Sequence, residues 1–255
     1  MMTDIFFEMR GEGQSVILLH GFPMNHHIWD NFSKALSKRY RVFTPDLPGF
    51  GKSSLPLDHF SLAEIADQLI AWIHEEKIAS PVVIGHSLGG YVTLAMVKRN
   101  PELFSGFGLF HSTALADTEE RRESRTKVIE FVTRNGAEAF TANFIEPLFA
   151  DHNNPHIDGV KEIAKQTSAG TVIAYTLAMR DRKNEEETIT KFSKPIFFLG
   201  GEKDQGISPD SLRLQAAKSQ HSEVHILSGS AHMAMYEQPA EALALVSDFI
   251  DRCPS

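Results

Sequence analysis

A serine stands at the centre of Gly85-His86-Ser87-Leu88-Gly89-Gly90, with a glycine two residues before it and another two residues after. The run Val82-Val83-Ile84, entered through Pro81, has the residue types of a short buried strand, and residues 88–97 read as a largely buried helix. Between them the chain must reverse within a few residues, with Ser87 at the apex. A turn that tight brings the flanking side-chain positions into contact, where glycine has no Cβ to clash. It strains the serine backbone and lifts the Oγ clear of the sheet edge. The amides that follow lie at a helix N-terminus, where partial positive charge favours an oxyanion. The chemistry this points to is nucleophilic attack on an acyl group.

An alcohol is a weak nucleophile at neutral pH, so Ser87 needs a base, and the base needs an orienting acid. The turn resembles that of the α/β-hydrolases, and the resemblance implies the chain order serine, acid, histidine. Of the 12 histidines, those beyond residue 200 are His221, His225 and His232. His221 precedes the last strand, at the wrong sheet edge, and His225 lies within that strand. His232 follows it through Ser228-Gly229-Ser230-Ala231, at the edge where Ser87 must be, and is the expected base. Asp204 follows another strand directly, in Gly201-Glu202-Lys203-Asp204, and is the expected acid; Glu202 and Asp210 are the fallbacks. An oxyanion needs two donors. The N–H of Leu88, next after the serine, is one, and the N–H of Phe22, in the loop after an earlier strand, is the other; Pro23 has no N–H to offer. Met24, Tyr91, His111 and Met233 are candidates to line the substrate pocket.

Two other patterns carry less. His26-His27-x-x-Asp30 has the composition of metal ligands, but exposed polar residues at a helix start explain it more simply. In Asp46-Leu47-Pro48-Gly49-Phe50-Gly51-Lys52-Ser53 the glycines and Lys-Ser superficially suggest a phosphate loop. The four-residue gap between glycines is absent, so a sharp structural loop is the better reading. No cofactor and no metal are expected.

The elements that must position these residues alternate strand and helix. Residues 5–9 are expected to start the sheet, with Gly11-Glu12-Gly13 as a hairpin turn. Residues 15–19, 41–45, 82–84, 107–110, 194–201 and 223–227 read as further strands. Ser61 and Glu64 form a capping box opening an amphipathic helix through Ile65, Leu69, Trp72 and Ile73. Ser208-Pro209 reads as an N-cap and first helical residue, and Pro239 opens a closing helix. From His111 the alternation stops. Residues 117–130 carry a dense, solvated charged face, and no strand is expected before about residue 190. The fold class expected is therefore α/β. Residues 1–111 and 191–255 form a mostly parallel, doubly wound sheet with its helices, and residues 112–190 are inserted as a helical lid over the carboxyl edge, where ligands bind in such folds.

The totals agree. The chain has 255 residues, 42% hydrophobic and 23% charged, enough for one sizeable core. A formal net charge of −8 argues against nucleic acid and against an anionic membrane surface as partners. One cysteine excludes an internal disulfide framework. No basic segment followed by an apolar run opens the chain, and no apolar run approaches the roughly 20 residues of a membrane span. A cytoplasmic location is the expectation.

Taken together, His20-Gly21-Phe22-Pro23, Asp46 to Ser53, Gly85 to Gly90, Gly201 to Asp204 and Ala231-His232 resemble the α/β-hydrolase superfamily over essentially the full length. One departure is Ala231, where relatives commonly carry glycine. Within the superfamily, the helical insertion and Ala178-Met179-Arg180-Asp181-Arg182 look like the bacterial carboxylesterase and 3-oxoadipate enol-lactonase group. A serine at the elbow separates the chain from the dehalogenases and epoxide hydrolases of this fold, which use aspartate. The resemblance implies a hydrolase acting on an ester or lactone of a small, largely apolar substrate. A carbon–carbon bond hydrolase or a cofactor-free perhydrolase on the same three residues is the alternative. A non-catalytic ligand-binding module is the reading from another class.

Overall fold

The computed structural model describes residues 4–55 and 59–254. Along the chain come β1 (Phe7–Arg10), β2 (Ser15–Leu19), α1 (Asp30–Leu36), β3 (Arg41–Pro45), α2 (Leu62–Glu75), β4 (Val82–His86), α3 (Leu88–Arg99) and β5 (Gly106–Phe110). Then follow α4 (Glu119–Phe144), α5 (Ile157–Lys165), α6 (Ala169–Arg180), α7 (Glu186–Lys191), β6 (Ile196–Gly201), α8 (Pro209–Ala216), β7 (Ser222–Leu227), α9 (Ala234–Glu237) and α10 (Pro239–Arg252). The strands make one sheet in the order β1-β3-β2-β4-β5-β6-β7. All neighbours are parallel except β1, which runs antiparallel to β3.

β4 shows why such a sheet needs unbroken apolar strands. Successive side chains point to opposite faces. Val82 and Ile84 enter one core cluster with Trp29 of the first loop and Phe249 of α10. Val83 enters the other, with Trp72 of α2 and Val92 of α3. Helices cover both faces, so Val82, Val83 and Ile84 are all apolar, and the strand's one polar side chain, His86, is buried at its end. α3 is buried along ten consecutive residues, Leu88 to Val97, because it lies in the layer between sheet and inserted helices.

Two local expectations are corrected. Gly11-Glu12-Gly13 is not a hairpin turn: β1 pairs with β3, Phe7 opposite Pro45, and β2 runs on the other side of β3. Gly11 has φ 77°, and a Cβ there would overlap the Ser37 and Tyr40 carbonyls, so this connection needs glycine for a close backbone passage. The second concerns His26, which is buried, not exposed at a helix start. Its Nδ1 is 2.7 Å from Asp46 Oδ1, which also accepts the His26 N–H at 2.9 Å, while Lys52 N–H donates to Oδ2 at 2.9 Å. His27 pairs with Asp30 at 2.9 Å. Asp46 thus ties the turn before α1 to the loop after β3; burial opposes its charge, but these hydrogen bonds outweigh burial and hold its carboxyl below the usual value.

Between β5 and β6 the described residues form helices and no strand. Thr118 caps α4 by accepting the Arg121 N–H, and the helix is broken at Gly136 (φ 83°, ψ 168°). No helix among the described residues is long and apolar enough to cross a membrane.

Candidate active site

Ser87 sits between β4 and α3 with φ 50° and ψ −112°, a conformation that L-residues adopt only under constraint. The constraint is visible. Its N–H donates to the Phe110 carbonyl at 3.0 Å, and its own carbonyl accepts the Ser112 hydroxyl at 2.7 Å, both from the end of β5. A Cβ on Gly85 would overlap the Gly89 backbone, and one on Gly89 would lie 2.6 Å from the Leu19 carbonyl. The spacing read from the sequence is thus a steric requirement of this turn.

The loop after β2 crosses directly over the serine. A Cβ on Gly21 would lie 3.3 Å from Ser87 Cβ and would overlap the His86 ring. The Phe22 N–H has no backbone acceptor among the described residues, and Leu88 opens a helix, so its N–H has no carbonyl one turn earlier. His20 braces this loop. Its Nδ1–H donates to the Gly21 carbonyl at 3.1 Å and its Nε2 accepts the Leu47 N–H at 2.9 Å, which fixes the neutral tautomer.

Across the cavity, His232 Nδ1 lies 2.7 Å from Asp204 Oδ2. With Nδ1–H donated there, the bare nitrogen of the neutral ring is Nε2. Asp204 Oδ1 accepts the N–H groups of Gly206 at 2.8 Å and Ile207 at 3.0 Å. Burial disfavours its charge, but the neighbouring His232 and His111, through charge and hydrogen bonding, win, and the carboxyl is held far below the usual carboxylate range.

The backbone around His232 is fixed at nearly every polar group. Glu237 Oε2 accepts from Ser230 Oγ at 2.9 Å, Ala231 N–H at 3.0 Å and Met233 N–H at 3.1 Å. His232 N–H donates to the Leu148 carbonyl at 2.9 Å. His86 Nε2–H donates to the His232 carbonyl at 2.9 Å. Ala234 N–H donates to His111 Nε2 at 3.4 Å, which turns His111 Nδ1–H towards Asp204 Oδ2, a longer and less well aligned contact at 3.3 Å. His111, Asp204 and His232 are also a possible metal-ligand cluster among the described residues. Both Nδ1 atoms face the same carboxylate oxygen as N–H donors, and a cation would have to displace both.

Ser87 and His232 line one cavity of about 420 Å³ together with Asp204, Phe22 and Tyr91. Its apolar wall is Phe22, Phe140 and Phe144, whose ring centroids lie 5.0 to 6.0 Å apart. Of the other expected lining residues, Met24 and Met233 are fully buried in the core around Trp29, and His111 lies behind Asp204. A larger cavity of about 760 Å³ lies between α2, α3 and the end of α6; it shares Tyr91 but holds neither Ser87 nor His232. Sequence reasoning passed over Glu237, His86 as a brace, and Arg121 and Arg125, which also line the first cavity. The i, i+4 spacing of the two arginines was their only signal.

Burial lowers the pKa of His20 to about 4, and burial also lowers those of His86 and His111. An unfolded histidine binds its proton near pH 6.5, so these buried rings favour folding fully above that value. That stability is lost as pH falls from about 6.5 towards 4. Urea unfolding at pH 7 and pH 5 is expected to show a loss of about 2 kcal/mol from His20 alone, with the other two adding in the same direction. Equal stability at the two pH values would contradict the neutral, buried assignment.

Comparison with known proteins comes to the same place. A family model described as alpha/beta hydrolase fold matches residues 14–239. A pimeloyl-[acyl-carrier protein] methyl ester esterase of Aeromonas hydrophila is 25% identical over 256 residues, covering 97% of this chain and 99% of its own. A thermophilic esterase from Thermogutta terrifontis, solved with malate bound, superposes with a TM-score of 0.92 at 26% identity, over 98% of this chain and 93% of its own. An enol-lactonase from Burkholderia xenovorans LB400 superposes at 0.89 with 19% identity, over 98% and 97%, a likeness of fold.

Proposed function

This chain belongs to the alpha/beta hydrolase fold family, and from that premise we propose that it is a serine hydrolase cleaving a carboxylic ester or lactone of a small substrate with a largely apolar body. The observation that carries the reading is the sharing of one cavity by Ser87, on its constrained turn, and His232, whose Nδ1–H is given to a buried, ionised Asp204. Ser87 attacks the acyl carbon, and Nε2 of His232 takes the hydroxyl proton. Asp204 keeps the imidazole in that tautomer and stabilises its protonated form. The negative charge on the former carbonyl oxygen is received by the N–H groups of Phe22 and Leu88, and loss of one such donor typically costs on the order of 10²–10³ in kcat. His232 returns the proton to the departing alkoxide. Water, activated by the same imidazole, then releases the acid.

Ester chemistry is supported by the Thermogutta and Aeromonas relatives, which are esterases. An apolar body is supported by the phenylalanine wall. Helices α4 and α6 act as the lid: residues between Arg121 and Leu148, with Thr176 and Met179, supply the wall opposite the serine. A screen of p-nitrophenyl acetate and butyrate with short lactones and thioesters tests the assignment. Turnover of the esters with an acyl adduct trapped by acid quench is the expected result. No adduct and no turnover across the screen would count against it.

A further inference from the structure

The cavity wall away from the phenylalanines is cationic. Arg121 and Arg125 stand one turn apart on α4 and both line the cavity, with Ser124 beside them and Gln205 beyond. Their shared counter-ion is Asp117, whose side chain is fully buried. Asp117 accepts from Arg125 Nε, lies 2.7 Å from Arg182 Nη1 and 3.8 Å from Arg121 Nε. One carboxylate therefore answers three guanidinium groups.

The three differ in what else they touch. Arg182 gives Nη1–H to the Met179 carbonyl at 2.8 Å and Nη2–H to the Leu115 carbonyl at 2.9 Å, lies over the Tyr91 ring at 4.1 Å, and keeps a buried, unpartnered Nε, but it does not line this cavity. Arg121 gives Nη1–H to the Gly206 carbonyl at 2.9 Å. Arg125 has only the Met179 thioether at 3.6 Å besides Asp117, and no other protein acceptor among the described residues. Its side chain lines the cavity and is only 17% exposed. A largely desolvated guanidinium with unspent donors is stabilised by an anion that meets its planar fork.

We infer that the substrate, acting on the serine-hydrolase reading above, carries a carboxylate at the far end of its apolar body, received by Arg125 with Arg121. The ester end then reaches Ser87 while the chain between lies along Phe22, Phe140 and Phe144. The preferred substrates are half-esters of short dicarboxylic acids.

The test compares the monomethyl esters of succinic, glutaric and adipic acid with the methyl esters of butanoic, pentanoic and hexanoic acid. At least one half-ester should exceed its neutral partner in kcat/KM by about tenfold to a hundredfold, the range a charge-assisted contact supplies. That ratio should shrink with added salt, collapse towards unity in Arg125→Met and fall in part in Arg121→Gln. Calorimetry of glutarate and adipate against the neutral glutaramide and adipamide reads the subsite without turnover, and only the dicarboxylates should bind, through Arg125. Neutral esters hydrolysed as well as half-esters, with no dicarboxylate binding, would overturn the subsite and leave the hydrolase reading standing. Dicarboxylate binding lost in Arg125→Met, with no ester hydrolysed, would uphold the subsite and remove the hydrolase reading. If Arg125→Met does not fold, the wild-type ratio and its salt dependence decide: a neutral preference, or none, overturns the proposal.

Discussion

Ser87→Ala is expected to lower kcat/KM for a p-nitrophenyl ester by about 10⁴ to 10⁶, with the fold and urea midpoint preserved. On the proposed mechanism the Oγ is the group that bonds to the acyl carbon, and no other hydroxyl stands on the constrained turn. Methyl fits where CH₂OH was, because Ser87 is held through its backbone, by Phe110 and Ser112, and not through its hydroxyl. The measurement is steady-state turnover of purified variant and wild type at equal concentration. Retention of a tenth of wild-type activity would remove the serine from the chemistry.

Asp204→Asn follows, at about 10³ to 10⁴ in kcat. The carboxylate accepts from Gly206, Ile207 and His232, with His111 Nδ1 nearby. An amide cannot accept on both sides. If its NH₂ faces His232, Nδ1 must be the bare nitrogen and the proton moves to Nε2, the nitrogen needed to deprotonate Ser87. If it faces the turn instead, two N–H donors of Gly206 and Ile207 lose their acceptor, which destabilises the folded state by on the order of 1–3 kcal/mol. A pH–rate profile together with a melting curve separates the two. A variant within tenfold of wild type would show that the acid lies elsewhere.

The parts legible in the sequence were those where backbone geometry dictates residue type. Glycine at 85 and 89 is imposed by the closeness of β4, β2 and α3, and the apolar runs of β4 and β6 follow from helices on both faces. The ends of β6 and β7 carry Asp204 and His232 to the edge that holds Ser87, because parallel strands all finish on the same side. What escaped was set by three-dimensional neighbours. Arg121 and Arg125 belong to a run that reads as a solvated face; the same charges serve equally well against a wet cavity, and periodicity cannot distinguish the two. Glu237 ends the four-residue helix α9, and its role depends on three donors of a folded loop. Met24 and Met233 flank site residues in the chain, but the adjacent position turns into the core. The first strand joined β3 across what looked like a hairpin, since glycines signal a turn but not its partner.

The most direct measurement is to treat the protein with a fluorophosphonate, digest it and locate the adduct by mass spectrometry. One equivalent on the peptide bearing Ser87, slowed strongly in His232→Ala and absent in Ser87→Ala, is the result expected of a serine activated by an imidazole across this cavity. An adduct on another residue, or a Ser87 that labels at the same rate without His232, would contradict it.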